Sequence, residues 1–229
     1  MKTAIVTGAT SGIGLEMTHV LIKKGYKVYG MGRRFRQMPK EENFEAVICD
    51  FRDENALYGA AENIKKRESI DLLVNCAGVG FFGRHEEIDG GNLSDMIDVN
   101  LKSPILLTNF FMKDLKKNKG QIINVSSVTA KKISTYGCAY GATKAGLSSF
   151  FESLFEEVRK YGVRVTTIHP DITKTSFYDN ANFEQGDTPD TYLNPQEISN
   201  VLDFILAQRE GAVVTDLTMQ PQKHRIRKK

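Results

Sequence analysis

Short apolar runs and longer amphipathic stretches alternate along this chain. Runs of four to seven residues, flanked by Gly, Asn or Asp, read as buried strands at 2–7, 27–32, 46–50, 71–75, 121–126, 163–168 and 212–217. Between them, helices are predicted over 12–24, 53–67, 93–117, 140–160 and 195–209, the first closed by Gly25 and the fourth by Tyr161-Gly162. Pro104 falls inside 93–117 and marks a kink or a boundary there. Such alternation predicts a seven-stranded parallel sheet with helices on both faces, joined by right-handed crossovers. One stretch breaks the rhythm. Residues 176–194 are polar and rich in Asp, Asn and Thr, and their length predicts a substrate loop or lid.

Composition adds little to that pattern. With 229 residues, 41% hydrophobic and 26% charged, the chain suits a single domain, 1–229, with an ordinary buried core. No apolar run is long enough to cross a membrane, and Met1–Gly8 does not read as a signal peptide. Cys49, Cys76 and Cys138 have no metal-like spacing, so no metal site is expected; they predict reduced thiols in a cytoplasm.

Charge is unevenly placed. The formal balance is +3, but residues 223–229 hold five Lys/Arg and no acid, leaving the remainder at −2. This basic tail is read as solvated, and nucleic acid is not expected as a partner.

The first strand enters Thr7-Gly8-Ala9-Thr10-Ser11-Gly12-Ile13-Gly14 and then a helix. Glycines there permit a tight turn, and a pyrophosphate can approach the converging N–H groups of the helix start. The spacing is G-x-x-x-G-x-G, distinct from G-x-G-x-x-G and from the phosphate loop of nucleotide triphosphatases. Its place between the first strand and first helix of a doubly wound pattern is what makes it a dinucleotide signal. The second strand ends Gly30-Met31-Gly32-Arg33-Arg34-Phe35-Arg36 without an acid to hold the ribose 2′-hydroxyl of NAD. Arg33 and Arg34 offer forked donors for the 2′-phosphate of NADP(H), which is the cofactor predicted.

Tyr140 and Lys144 stand four residues apart, one helical turn, with Ser126-Ser127 upstream. An ammonium beside a phenol favours phenolate and is expected to pull the tyrosine below its ordinary value near 10. Such a tyrosine can exchange protons near neutral pH while either serine polarises a carbonyl oxygen.

Taken in order, these motifs resemble the short-chain dehydrogenase/reductase family over nearly the whole chain. Thr7–Gly14 matches its TGxxxGxG, and Asn75-Cys76-Ala77-Gly78 its NNAG with Cys76 for the second Asn. Asn100 matches the helix asparagine of the catalytic tetrad, and Tyr140 and Lys144 its YxxxK. Ser127, thirteen residues before Tyr140, has the common spacing of the catalytic serine.

The resemblance implies a Rossmann-type doubly wound fold and a carbonyl–alcohol oxidoreductase, in which Asn100, Ser127, Tyr140 and Lys144 are catalytic. It implies that Gly8, Ser11, Gly12, Ile13 and Gly14 surround the pyrophosphate and adenosine ribose, while Asp50 and Phe51 meet the adenine. Asn75, Ala77 and Gly78 would line the cofactor near its ribose. Lys144 would also bind the nicotinamide ribose, and Asn100 would hold a relay water. Pro170, Thr173 and Thr175 fall in the family's PGxxxT, with Asp171 replacing glycine. A homodimer or homotetramer through the helices 93–117 and 140–160 is also implied. With NADPH in a reducing cytoplasm, carbonyl reduction is the expected direction. The alternative is an NADP-binding redox sensor with little turnover, against which the complete Asn-Ser-Tyr-Lys set argues.

Overall fold

The strand β1 (Thr3–Thr7) is buried along its whole length and lies inside the sheet, third of seven strands. The computed structural model describes residues 1–35 and 41–229, so Arg36 lies outside the described residues. From β1 the chain runs through α1 (Gly12–Lys23), β2 (Lys27–Gly32), β3 (Phe44–Ile48), α2 (Glu54–Lys65) and β4 (Leu72–Asn75). It continues with α3 (Gly90–Ile97), α4 (Ser103–Lys117), β5 (Gln121–Val125), α5 (Cys138–Val158) and β6 (Arg164–Pro170). The remaining elements are β7 (Phe183–Gln185), α6 (Pro195–Leu206), β8 (Asp216–Met219) and β9 (Ile226–Lys228). Among the described residues no helix is long and apolar enough to cross a membrane.

Seven strands pair in the order β3-β2-β1-β4-β5-β6-β8, every neighbour parallel. This is the doubly wound arrangement the sequence pattern predicts. Side-chain alternation distributes the core between the two faces. Ile5, Tyr29, Leu73, Ile122 and Val165 point to the face covered by α2, α4 and α5. Ala4, Val6, Val28, Val74 and Ile168 point to the face covered by α1 and α6. Phe111 of α4 and Phe151 of α5 are fully buried, each contributing roughly 1.5–3 kcal/mol by leaving water.

Several boundaries depart from the sequence expectation. β3 lies two residues earlier than predicted, which leaves Asp50 and Phe51 in the turn beyond its carboxyl end. The last strand of the parallel sheet, β8, starts at Asp216, not 212, because Gly211 adopts a left-handed φ of 88° and pairing begins only beside Thr167 of β6. The predicted helix 93–117 is helical from Gly90 onward but widens into a π-helical turn at Asp98–Lys102. Pro104 lies in the first turn of α4 just beyond, where its missing N–H is tolerated. A larger difference concerns the basic tail, which is not a free solvated segment: β9 pairs antiparallel with β7 inside the 176–194 loop.

Candidate active site

The sheet order reverses between β1 and β4, and a crevice opens there at the carboxyl ends of the strands. Thr7 holds its two lips together. Its Oγ1 accepts from the N–H groups of Cys76 and Ala77, each at 3.0 Å. Gly8, at φ 70°, follows immediately; a Cβ there would lie 2.8 Å from the Ala77 Cα. A side chain on Gly14 would meet the Gly8 carbonyl oxygen at 2.3 Å, so both positions require glycine.

The N-terminus of α1 faces this crevice without an internal cap. Asp53 caps α2 through the N–H groups of Asn55 and Ala56, and Asn194 with Glu197 forms a capping box on α6. Ser11, at the same position of α1, makes no side-chain cap hydrogen bond. The first-turn N–H groups beside it are thereby left available to an anion.

A cleft of about 440 Å³ runs from this loop to Tyr140. Its walls include Gly8, Ser11, Gly12, Ile13, Gly14, Arg33, Asp50, Phe51, Ala77, Gly78, Ser127, Tyr140, Lys144, Pro170, Thr173 and Thr175. Arg34 is exposed and does not line the cleft. Nor does Asn75, whose buried Nδ2 donates to Asn124 Oδ1 at 2.9 Å across the β4–β5 pair. Asn100 sits beneath the wall. Its Oδ1 accepts from the Val79 N–H at 2.8 Å, and its Nδ2 donates to the Val79 carbonyl at 2.8 Å and to Thr143 Oγ1 at 3.2 Å. The π-helical turn that carries Asn100 presents it to the loop after β4, a use of such turns common at functional sites.

At the adenosine end, Arg33 has no ion-pair partner among the described residues, whereas Arg52, which the sequence reading missed, is fully engaged. Arg52 grips Asp50 at 2.6 Å and Asp95 at 3.1 Å. The Arg52 guanidinium, aided by Arg33, holds the Asp50 carboxyl down to about 2. A basic residue directly after the predicted Asp50-Phe51 turn was the available signal.

At the other end, the two upstream serines take different roles. Ser126 Oγ is committed to the Lys144 carbonyl at 3.1 Å and to Ser148 Oγ at 2.9 Å. Ser127 Oγ caps a short turn by accepting from the Thr129 N–H at 3.2 Å, and it lies beside the Tyr140 phenol. Buried His169 places Nδ1 3.2 Å from the Ser127 carbonyl oxygen and Nε2 2.7 Å from Asp216 Oδ2.

The Tyr140–Lys144 pair differs from expectation in its electrostatics. Lys144 Nζ donates to the Val125 carbonyl at 2.8 Å. Burial pushes the Tyr140 phenol up, not down, with Ser127 pulling the other way. Burial also brings the Lys144 ammonium down to about 8. Cys76, which stands where the resemblance has asparagine, is pushed up to about 12 by burial and stays a neutral thiol.

Asp171 causes no distortion where glycine was expected. Its Oδ1 accepts from the Ile172 N–H at 2.8 Å and its Oδ2 from Gln220 Nε2 at 2.9 Å. Above Tyr140 lies an aromatic group that the sequence did not forecast as a unit. The rings of Phe82 and Phe177 stand 5.3 and 5.7 Å from the Tyr140 ring.

Residues 2–186 match the family model for short chain dehydrogenase. A protein of Haemophilus influenzae described as a probable NADP-dependent dehydrogenase is 31% identical over 96% of this chain and 93% of its own. A structure of serine dehydrogenase in a closed form with NADP+ superposes with a TM-score of 0.84 at 26% identity, covering 96% of this chain and 94% of that one. An alcohol dehydrogenase from the archaeon Thermococcus sibiricus, complexed with 5-hydroxy-NADP, shares the fold at a TM-score of 0.88 and 23% identity. That superposition covers 98% of this chain and 99% of the other.

Proposed function

The chain belongs to the short-chain dehydrogenase family, and from that premise we propose that it is an NADP(H)-dependent oxidoreductase interconverting a carbonyl and a secondary alcohol. One observation carries the reading. One cleft joins an uncapped helix start and Arg33, which has no ion-pair partner among the described residues, at one end to Ser127, Tyr140 and Lys144 at the other. The residues fit a dinucleotide, with the pyrophosphate at the Gly8–Gly14 loop and the 2′-phosphate at Arg33. When bound, the nicotinamide supplies or accepts the hydride.

The chain's own groups handle the proton. Burial keeps Tyr140 protonated at neutral pH, so its phenol is the donor to a substrate oxygen that becomes an alkoxide. Ser127 donates a hydrogen bond to that same oxygen and polarises the carbonyl. Lys144, held by the Val125 carbonyl, stabilises the phenolate left behind. Asn100 fixes Val79, and through it the wall carrying Gly78. Phe51 and Asp50 face the adenine side, and Pro170, Thr173 and Thr175 the carboxamide side.

Residues 1–229 form one catalytic unit in this reading, with 176–194 serving the substrate. Half-buried Phe110, Met112, Phe150 and Leu154 on α4 and α5 support a homodimer or homotetramer through these helices. Side-by-side fluorescence titration with NADPH and NADH, followed by a carbonyl panel, tests the proposal. Selective NADPH binding with turnover is expected; binding of neither nucleotide would overturn it.

A further inference from the structure

The acidic loop and the basic tail lie about forty residues apart in sequence and meet in space. In the β7–β9 pair, Phe183 stands opposite Lys228 and Gln185 opposite Ile226. Arg227 reaches Glu184 at 2.6 Å and Asp187 at 3.0 Å, and Lys223 reaches Asp190 at 2.7 Å. Lys229 Nζ donates to the Tyr178 and Asp179 carbonyls at 2.7 and 3.0 Å. The tail therefore gathers the loop from several points at once.

The same loop carries the rings that cover the reacting phenol. Phe177 packs on Tyr140 at 5.7 Å, Tyr178 packs on Phe177 at 5.1 Å, and Phe183 packs on Phe82 at 5.2 Å. Phe82 itself lies 5.3 Å from Tyr140. Tyr140 is only 6% exposed, and Phe177 and Tyr178 line the same cleft beside it, so the cap forms a wall against which substrate would sit.

We propose that the segment 223–229 is a positioning element for the reaction, a latch that returns the aromatic cap to its place over Tyr140. The inference rests on the reading of Tyr140 as proton donor. Each ion pair is exposed and weak by itself, so the latch works as a set, and added salt loosens it. A loosened latch lowers the fraction of molecules whose cap can hold substrate, and apparent affinity falls by that fraction.

Arg227→Glu places a negative charge against Glu184 and Asp187 and is the first variant to make. The substrate KM should rise about five-fold with kcat nearly unchanged, since the chemical groups are untouched. NADPH affinity should stay constant. In the protein without nucleotide, amide hydrogen exchange over 176–187 should quicken about ten-fold while β1, β4 and β5 are unaffected. Adding Glu184→Arg should restore both readouts. Unchanged exchange in Arg227→Glu and in a chain ending at Gln222 overturns the latch. Faster exchange with an unchanged KM overturns its positioning role. Faster exchange in a protein that reduces no carbonyl upholds the latch and sinks the reductase reading instead.

Discussion

Lys144 Nζ stands 5.8 Å from the centroid of the Tyr140 ring, yet its hydrogen bond runs to the Val125 carbonyl. Proximity alone would lower the phenol. Burial raises it and wins, with the Ser127 hydrogen bond pulling the other way. Both charged forms are disfavoured, so the pair is poised with a neutral phenol above an easily deprotonated ammonium.

This arrangement sets stability against activity. The Lys144 pKa is about 8 when folded against an ordinary 10.5. The penalty of burying the ammonium is therefore fully present below about 8 and is relieved as pH rises towards 10.5. Lys144→Met removes that penalty but leaves the Val125 carbonyl unpartnered. At neutral pH the variant should be more stable by about 1–3 kcal/mol while losing activity. Denaturant melts at neutral pH and near pH 10 check this, with the gap narrowing at the higher value. A variant less stable at neutral pH would refute it.

The pH profiles of the two directions should differ in sign. Reduction needs the protonated phenol beside a charged Lys144, so its kcat/KM should be flat through neutrality and fall as Lys144 loses its proton near 8. Alcohol oxidation needs phenolate, which burial of Tyr140 holds back, so its rate should rise only above the ordinary tyrosine value of about 10. Parallel slopes in both directions would argue against Tyr140 as the shared proton carrier.

Nucleotide choice rests on Arg33. Arg33→Ala should weaken NADPH binding about ten-fold, as expected for a lost charge-assisted contact, and leave NADH within about two-fold. Equal losses for both nucleotides would remove the phosphate-grip assignment. Arg52→Ala is a useful contrast, because its guanidinium is already shared between Asp50 and Asp95.

Much of the architecture was legible because buried parallel strands leave uninterrupted apolar runs that local pattern detects. The glycine loop and the Tyr140–Lys144 spacing were legible for the same reason, since each is confined to a few adjacent residues. Features made by distant contacts were not. Nothing local to Asp98–Lys102 distinguishes a π-helical turn from an ordinary one; the motif marks Asn100, but its hold on Val79 and Thr143 is visible only in the fold. Asn75 belongs by motif with the cofactor, but Asn124 on the neighbouring strand takes its amide. β7 and β9 are short, polar strands whose partners are complementary charges, and no hydrophobic alternation announces them. The direction of the Tyr140 shift was missed because sequence spacing reports a neighbour's charge but not the water both groups lose.

The most direct test is the rate of NADPH-dependent carbonyl reduction by Tyr140→Phe beside the unaltered protein, with NADPH affinity measured in parallel. Loss of a buried proton donor should lower turnover by about 10²–10⁴-fold while affinity stays nearly constant. Turnover retained at full rate in Tyr140→Phe would contradict the account.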